Sequence, residues 1–363
     1  MQVDMHYYGT YVLARAAGVK TESARTIAYA AQFVDNSIAR EIDDHEDGGK
    51  IIAVPTAHHV GSLRNRDKND QRYIWVPFHF FPGGEGATWT DKLICHKDSD
   101  LVREMVKHHL NQCTRPYALE LMGVAAHVYA DTFAHYGFSG VSSRRNRVKG
   151  DSFKLAHSKK VVEAALGKSL GQWFSKWGQQ GGLLTNVRSA ISNIGETYSG
   201  ALGHGGTSNY PDLPFLRWEF EYEYPDLTNP EFCKRDNQAT FLEGAEALHR
   251  MFVAFVGSNS EHQDPDSFIE WDDLQSTVEE IFATEGNKKA RIKMWQHAAS
   301  HLLAEYIPKY DADDWNNQQN DFGKLKDSDE GANLPIYRFF QAASYHRHYV
   351  LRDLLPSHGV VVV

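Results

Sequence analysis

Leu119-Glu-Leu-Met-Gly-Val-Ala-Ala-His-Val-Tyr-Ala-Asp-Thr-Phe-Ala-His135 is the stretch whose reading decides the fold. At about 100° per residue, Glu120, Val124, His127, Asp131 and His135 fall on one stripe of a helix. Leu119, Leu121, Met122, Val128, Tyr129 and Phe133 cover the rest of the circumference. A helix that is apolar nearly all round is a buried helix. Its ionisable stripe must face a cavity, a partner network or a metal ion, because an isolated buried charge is costly. His127 and Asp131, four residues apart, can both reach one ion. They would equally serve a hydrogen-bonded pair in which the carboxylate only fixes the imidazole.

Outward from this helix, helical spacing recurs over 6–17, 21–34, 99–112, 153–166, 183–194, 238–256, 271–284, 288–307 and 335–355. Gly18 closes the first of these, Thr21 is placed to cap the second, and Pro116 stands near the start of the quoted helix. Between them lie irregular pieces: a polar stretch at 43–70, an extended aromatic run Tyr73-Ile-Trp-Val-Pro-Phe-His-Phe-Phe-Pro82, a Gly-, Ser- and Arg-rich loop at 136–153, and the aromatic segment 210–218. No internal repeat and no low-complexity linker interrupts the chain. The pattern predicts one all-α domain over residues 1–363 with long ordered loops.

At 363 residues, with 42% hydrophobic and 23% charged residues, the chain can bury a sizeable core, so disorder is not its default state. A formal net charge of -9 disfavours a general coat for nucleic acid or anionic membrane; the densest basic cluster is Arg144, Arg145, Arg147 and Lys149. Cys95, Cys113 and Cys233 form no C-x-x-C pair and no disulfide framework. With no signal-peptide pattern at the start and no apolar run of the ~18–20 residues a bilayer needs, the expectation is a soluble protein of a reducing, cytoplasmic compartment.

Among the 19 histidines, those set in apolar segments need partners. His6, in Asp4-Met-His-Tyr-Tyr-Gly-Thr10, sits in a first helical turn among aromatics; Asp4 fits a helix cap as well as a ligand. Asp35 follows an apolar helix, where it is either a ligand or a chain-turning aspartate. His79 lies between Phe78 and Phe80. His204 stands in a Gly-rich turn that lets backbone and ligand approach, and Asp212 in a rigid Pro211-Asp-Leu turn. His297, His301 and Glu305 mimic a ligand row, but Trp295, Ala299, Leu302 and Tyr306 define the apolar side of that helix and leave the row on a solvated face. No P-loop, G-x-S-x-G or H-E-x-x-H is present.

In chain order, His6, Asp35, His79 in His-Phe-Phe-Pro82, and His127-x-x-x-Asp131 resemble the ligand order of zinc-dependent phospholipases C and of the fungal zinc nucleases that share their fold. The resemblance covers roughly residues 4 to 135, and only the helix motif is specific. It implies an all-α fold, a cluster of up to three zinc ions, and hydrolysis of phosphate esters by a zinc-bound hydroxide. By the same analogy Asp35 is the base that orients the water, and Arg144, Arg145 and Arg147 are candidates to bind substrate phosphate. The chain departs from that pattern in three places. Those families begin with a tryptophan whose amine binds zinc, a place that Asp4 is left to fill. Their next helix ligand follows the aspartate by six residues, whereas His135 follows Asp131 by four. Their His-x-x-x-Glu partner is absent, since His157 has Val161 at that offset, which leaves His204 and Asp212 to complete the set. The chain is more similar still to a bacterial family of unassigned function that shares its Asp-x-His-Tyr-Tyr-Gly-Thr opening and its His-x-Tyr-Ala-Asp-Thr-Phe-Ala-His helix.

These readings predict a metal site built from 4–135 with 204–212 added, in a zinc-dependent hydrolase of phosphate esters. The substrate is left open among small molecules, lipid headgroups and nucleic acid. The rival is a non-catalytic helical scaffold whose His–Asp network only orders the core.

Overall fold

A computed structural model describes residues 1–39, 41–43, 50–58, 62–166, 202–321 and 328–362. Among the described residues, the helices of seven or more residues are α1 (Thr10–Ala16), α2 (Thr21–Phe33), α3 (Asp100–Leu110), α4 (Ala118–His135), α5 (Lys159–Leu166), α6 (Asn237–Ser258), α7 (Trp271–Ala283), α8 (Lys288–Leu303), α9 (Asp313–Asp321) and α10 (Pro335–Tyr349). A π-helical turn, Asp4–Gly9, leads into α1. The helix expected at 183–194 lies outside the described residues.

The fold is all-α, with two small antiparallel sheets: β1 (Glu41–Asp43) with β2 (Lys50–Ile52), and β3 (Lys154–Leu155), β4 (Arg217–Glu219) and β5 (Lys234–Asp236) in the order β3-β4-β5. None of the described helices is long and apolar enough to cross a membrane.

Helix α4 is the axis, buried from Glu120 to His135 as its all-round apolar surface requires. Helices α2, α3, α6 and α10 pack around it in one hydrophobic core, and α1 packs on α2 and α6. Helix α2 crosses α4 at Gly123, where a Cβ would stand 2.5 Å from the Ile27 carbonyl oxygen and 2.5 Å from Ala30 Cβ, so only glycine permits the approach. A second, aromatic core of Phe138, Phe153, Tyr210, Trp218, Phe220 and Tyr222 lies against the sheet β3-β4-β5. Buried Arg235 joins it to α4: its guanidinium donates to the carbonyls of Ala134 and Tyr136, satisfying the orphan acceptors at the helix C-terminus.

Local chemistry corrects several expectations. Thr21 does not cap α2; Lys20 occupies the cap position, and the Thr21 hydroxyl donates to Glu305. The aromatic run expected to be extended is wound into helical turns, Gln71–Trp75 and Val76–Phe78, with Pro77 in the first turn of the latter. Helix α8 stops at Leu303 because Ala304 takes a left-handed φ of 53°. That break carries Tyr306 to 71% exposure instead of the apolar face, and turns Glu305 onto Arg15 at 2.6 Å. His297 and His301 are exposed, as the helical spacing predicts.

Candidate metal centre

Five separate segments deliver polar side chains to one side of α4. The Asp4–Gly9 turn brings His6, the chain just after α2 brings Asp35, the turn after Val76–Phe78 brings His79, α4 itself brings His127, Asp131 and His135, and the 3-10 turns at 205–207 and 210–212 bring His204 and Asp212. They form three groups in which the potential ligand atoms all lie within 4.8 Å of one another: His6, His127 and Asp131; Asp35, His79 and His127; and His135, His204 and Asp212. His127 belongs to two of them.

Asp131 lies at the middle. Its Oδ1 is 3.2 Å from His6 Nε2, and its Oδ2 is 3.3 Å from His127 Nε2 and 3.5 Å from His79 Nδ1. Asp35 Oδ1 is 3.9 Å from His79 Nδ1 and 4.0 Å from His127 Nε2. His135 Nε2 is 3.2 Å from Asp212 Oδ1, and His204 Nε2 is 4.0 Å from Asp212 Oδ2. The Asp35 side chain is 32% exposed and opens the cluster to solvent, whereas that of Asp131 is 2% exposed.

The backs of four imidazoles are pinned by backbone carbonyls. His79 Nε2 donates to Thr56 O, His127 Nδ1 to Ala31 O, His135 Nδ1 to His79 O and His204 Nδ1 to Ser208 O, each at 2.8 Å. A carbonyl only accepts, so each of these nitrogens carries the hydrogen, and a neutral ring then presents a bare lone pair to the centre. His127 Nε2 and His79 Nδ1 stand 3.3 Å apart, with two lone pairs facing each other whenever both rings are neutral. Asp131 Oδ2 and both nitrogens of His6 are buried with no hydrogen-bond partner. Inward-facing lone pairs and orphaned buried polar atoms are costly unless a cation sits among them.

Charge points the same way. The α-ammonium of Met1 lies 2.6 Å from Asp131 Oδ1, 3.3 Å from Asp212 Oδ1 and 3.5 Å from His135 Nε2. Burial works to lower its pKa, but Asp131, Asp212 and Asp35 outweigh burial and push it up to about 11. One ammonium against the carboxylates of Asp35, Asp131 and Asp212 leaves two negative charges uncompensated by these groups. Burial, aided by His127 and the ammonium, holds His6 down to about 4, and burial likewise lowers His204 to about 4. For Asp131, burial is outweighed by His135, the ammonium and His127, so its carboxyl stays well below the usual range; for Asp212 the ammonium and His135 do the same. Burial also opposes charging of His79, but Asp131 and Asp35 raise its pKa.

The remaining candidates stand elsewhere. Asp4 is outside all three groups: its Oδ2 accepts from buried Arg291 Nε at 2.5 Å, an ion pair that anchors the turn carrying His6. The Met1 amine, rather than Asp4, lies beside Asp131, at 2.6 Å. Arg145 is paired with Asp91 at 2.6 Å, Arg147 lies 3.8 Å from Glu223, and Arg144 stacks over Tyr224. These contacts tie the arginines to their own surface loops rather than to the histidines. Glu120 shares the stripe but none of the groups, and burial pushes its carboxyl up to about 7.

Two further histidines support the site from behind. His346 Nε2 donates to Pro77 O at 2.8 Å, which leaves His346 Nδ1 to accept from His109 Nε2 at 2.9 Å. This buried bridge ties α3 and α10 to the turn that presents His79, and sequence spacing gave no sign of it.

Among curated proteins and among solved structures, none matches this chain. A family of unknown function, DUF6765, matches residues 1–354, and the chain belongs to that family.

Proposed function

We propose that this protein is a metal-dependent hydrolase of phosphate esters, with zinc as the metal held by His6, Asp35, His79, His127, Asp131, His135, His204 and Asp212. The observation that carries the reading is the set of four imidazoles pinned by carbonyls at 2.8 Å with their free nitrogens turned onto three carboxylates. Such outer hydrogen bonds orient and strengthen metal-binding imidazoles. A donor set of imidazole nitrogen and carboxylate oxygen, without thiolate, suits zinc, manganese or iron. Cys95, although buried beside the centre, belongs to none of the groups, and burial raises its pKa.

A bound metal ion there would lower the pKa of water and polarise a phosphoryl oxygen. Asp35 contributes the base: it is the carboxylate of the first two groups that solvent reaches, and its Oδ1 can accept a proton from an attacking water. Asp131, shielded from water, holds charge rather than protons. Phe80 stacks on His135, with ring centroids 4.9 Å apart.

The Met1 ammonium favours a second reading, a non-catalytic helical scaffold, because it already supplies one positive charge to Asp131. Metal analysis of untagged protein, with turnover of bis(4-nitrophenyl) phosphate before and after chelation, separates the two. The hydrolase requires bound metal, chelator-sensitive turnover, and a loss of turnover in Asp35→Asn that exceeds its loss of metal. Folded protein that cannot be loaded with zinc, manganese or iron would leave the scaffold reading standing.

A further inference from the structure

On the far side of α10 from the histidine bridge, a cleft of about 520 Å³ opens between α10 and the segment joining α3 to α4. It shares no residue with the metal centre. Its volume falls within the range of small-molecule sites. Tyr337, Gln341, Ser344, Tyr345 and His348 occur at the spacing of one helix face, and Tyr117 and His108 form the opposite wall. The rings are ordered: His108 lies parallel to Tyr349, with centroids 3.5 Å apart and planes 7° apart, and its Nε2 is 2.8 Å from the Tyr345 hydroxyl.

Charge gives the cleft a sign. Asp353 lines it, and among the described residues no lysine or arginine does. Asp353 and Glu104 both act on His108 and on Tyr349, so the stacked pair sits in a negative field. Arg115 is the opposing cation, acting on Tyr345 from outside the lining. Burial lowers the His108 pKa, so its ring adds no positive charge near neutral pH. Aromatic faces with one carboxylate and no competing base attract an organic cation, which gains from the ring quadrupoles and loses little by shedding its weakly held water.

We propose that this cleft binds a small organic cation bearing a methylated ammonium group, held among the tyrosine rings that line it, on the side of Tyr349 that His108 does not cover, with Asp353 as counter-charge. The site is independent of the metal centre and of the hydrolase reading.

The test uses the full chain and two probes of one shape: choline, which is charged, and 3,3-dimethylbutan-1-ol, its neutral isostere. Binding is read by ligand-observed proton NMR. Choline methyl resonances should shift upfield over the rings, with affinity about ten-fold above that of the neutral probe. Asp353→Asn, at an exposed position, should cost choline several-fold in affinity and leave the neutral probe unchanged. Tyr349→Leu should remove the upfield shift in protein whose circular dichroism is unaltered. Equal affinity for both probes would make the cleft merely apolar and overturn the proposal. So would choline binding that survives both substitutions, or no binding up to about 50 mM choline.

Discussion

Replacing Gly123 with alanine adds one methyl group where α2 and α4 cross. The new Cβ would meet the Ile27 carbonyl oxygen and Ala30 Cβ at 2.5 Å and the Ala31 nitrogen at 2.9 Å. Ordinary carbon contacts lie near 3.5 Å, so the helices must part by roughly 1 Å, and no side chain can swing aside because two of the three obstacles are backbone. Overpacking of this kind costs about 1–3 kcal/mol, against which the helix preference for alanine returns at most about 1 kcal/mol. One turn further along, His127 Nδ1 donates to Ala31 O at 2.8 Å; an added 1 Å carries that bond beyond the length at which it holds. Metal affinity should then fall about 10–100-fold, the usual effect of losing an outer hydrogen bond to a ligand. Denaturant unfolding of the apoprotein and zinc titration with a competing chelator measure the two effects separately. Gly257→Ala is the control, because a Cβ there meets nothing within 4 Å. Gly123→Ala protein with wild-type stability and zinc affinity would refute both the crossing geometry and the role of the Ala31 carbonyl.

Three other outcomes follow from the same centre. Asp131→Asn keeps the size but removes the charge shared by His6, His79 and His127, so metal stoichiometry and hydrolysis should fall together in folded protein; undiminished metal content would refute ligation. Chelation should lower the melting temperature and zinc restore it, by binding linkage; an unchanged transition after verified metal removal would favour the scaffold. Acid should destabilise the apoprotein between pH 6.5 and 4, because His6 and His204 are held near 4 when folded. The unfolded chain binds more protons across that window, so stability falls as pH falls, by roughly 3 kcal/mol for each ring if both stay neutral. His79, raised by its carboxylates, contributes with the opposite sign. A flat pH dependence of denaturant stability over that window would contradict the burial of the two rings.

The helix 118–135 was legible because all-round hydrophobicity around an ionisable stripe has few explanations, and its burial follows directly. His6, Asp35 and His79 come together in the structure, yet nothing local to His79 shows that Thr56 O will hold its Nε2. Asp4 falls outside the three groups because its carboxylate pairs with Arg291, 287 residues away, a partner that no local pattern announces. The Met1 amine is backbone chemistry and leaves no side-chain signal. Tyr306 was misread because helical spacing was carried past Ala304, whose left-handed backbone ends the period. The aromatic run 73–82 has the composition of a strand, yet hydrogen bonds from His79 N and Phe80 N to Trp75 O coil it.

Arg235 and the aromatic core beneath it have a kinetic consequence. His135 belongs to the central helix, but its companions His204 and Asp212 ride on the layer packed over Phe153, Tyr210 and Trp218. Proteins open in cooperative pieces rather than all at once, and a smaller core that is separate from the main one is a unit able to open by itself. Each such opening would take two of the three residues of that group away while leaving the groups around Asp131 in place. An ion bound by His135, His204 and Asp212 would therefore exchange on the clock of amide-hydrogen exchange in residues 210–236, faster than its neighbours and in step with the loosening of one edge of the molecule.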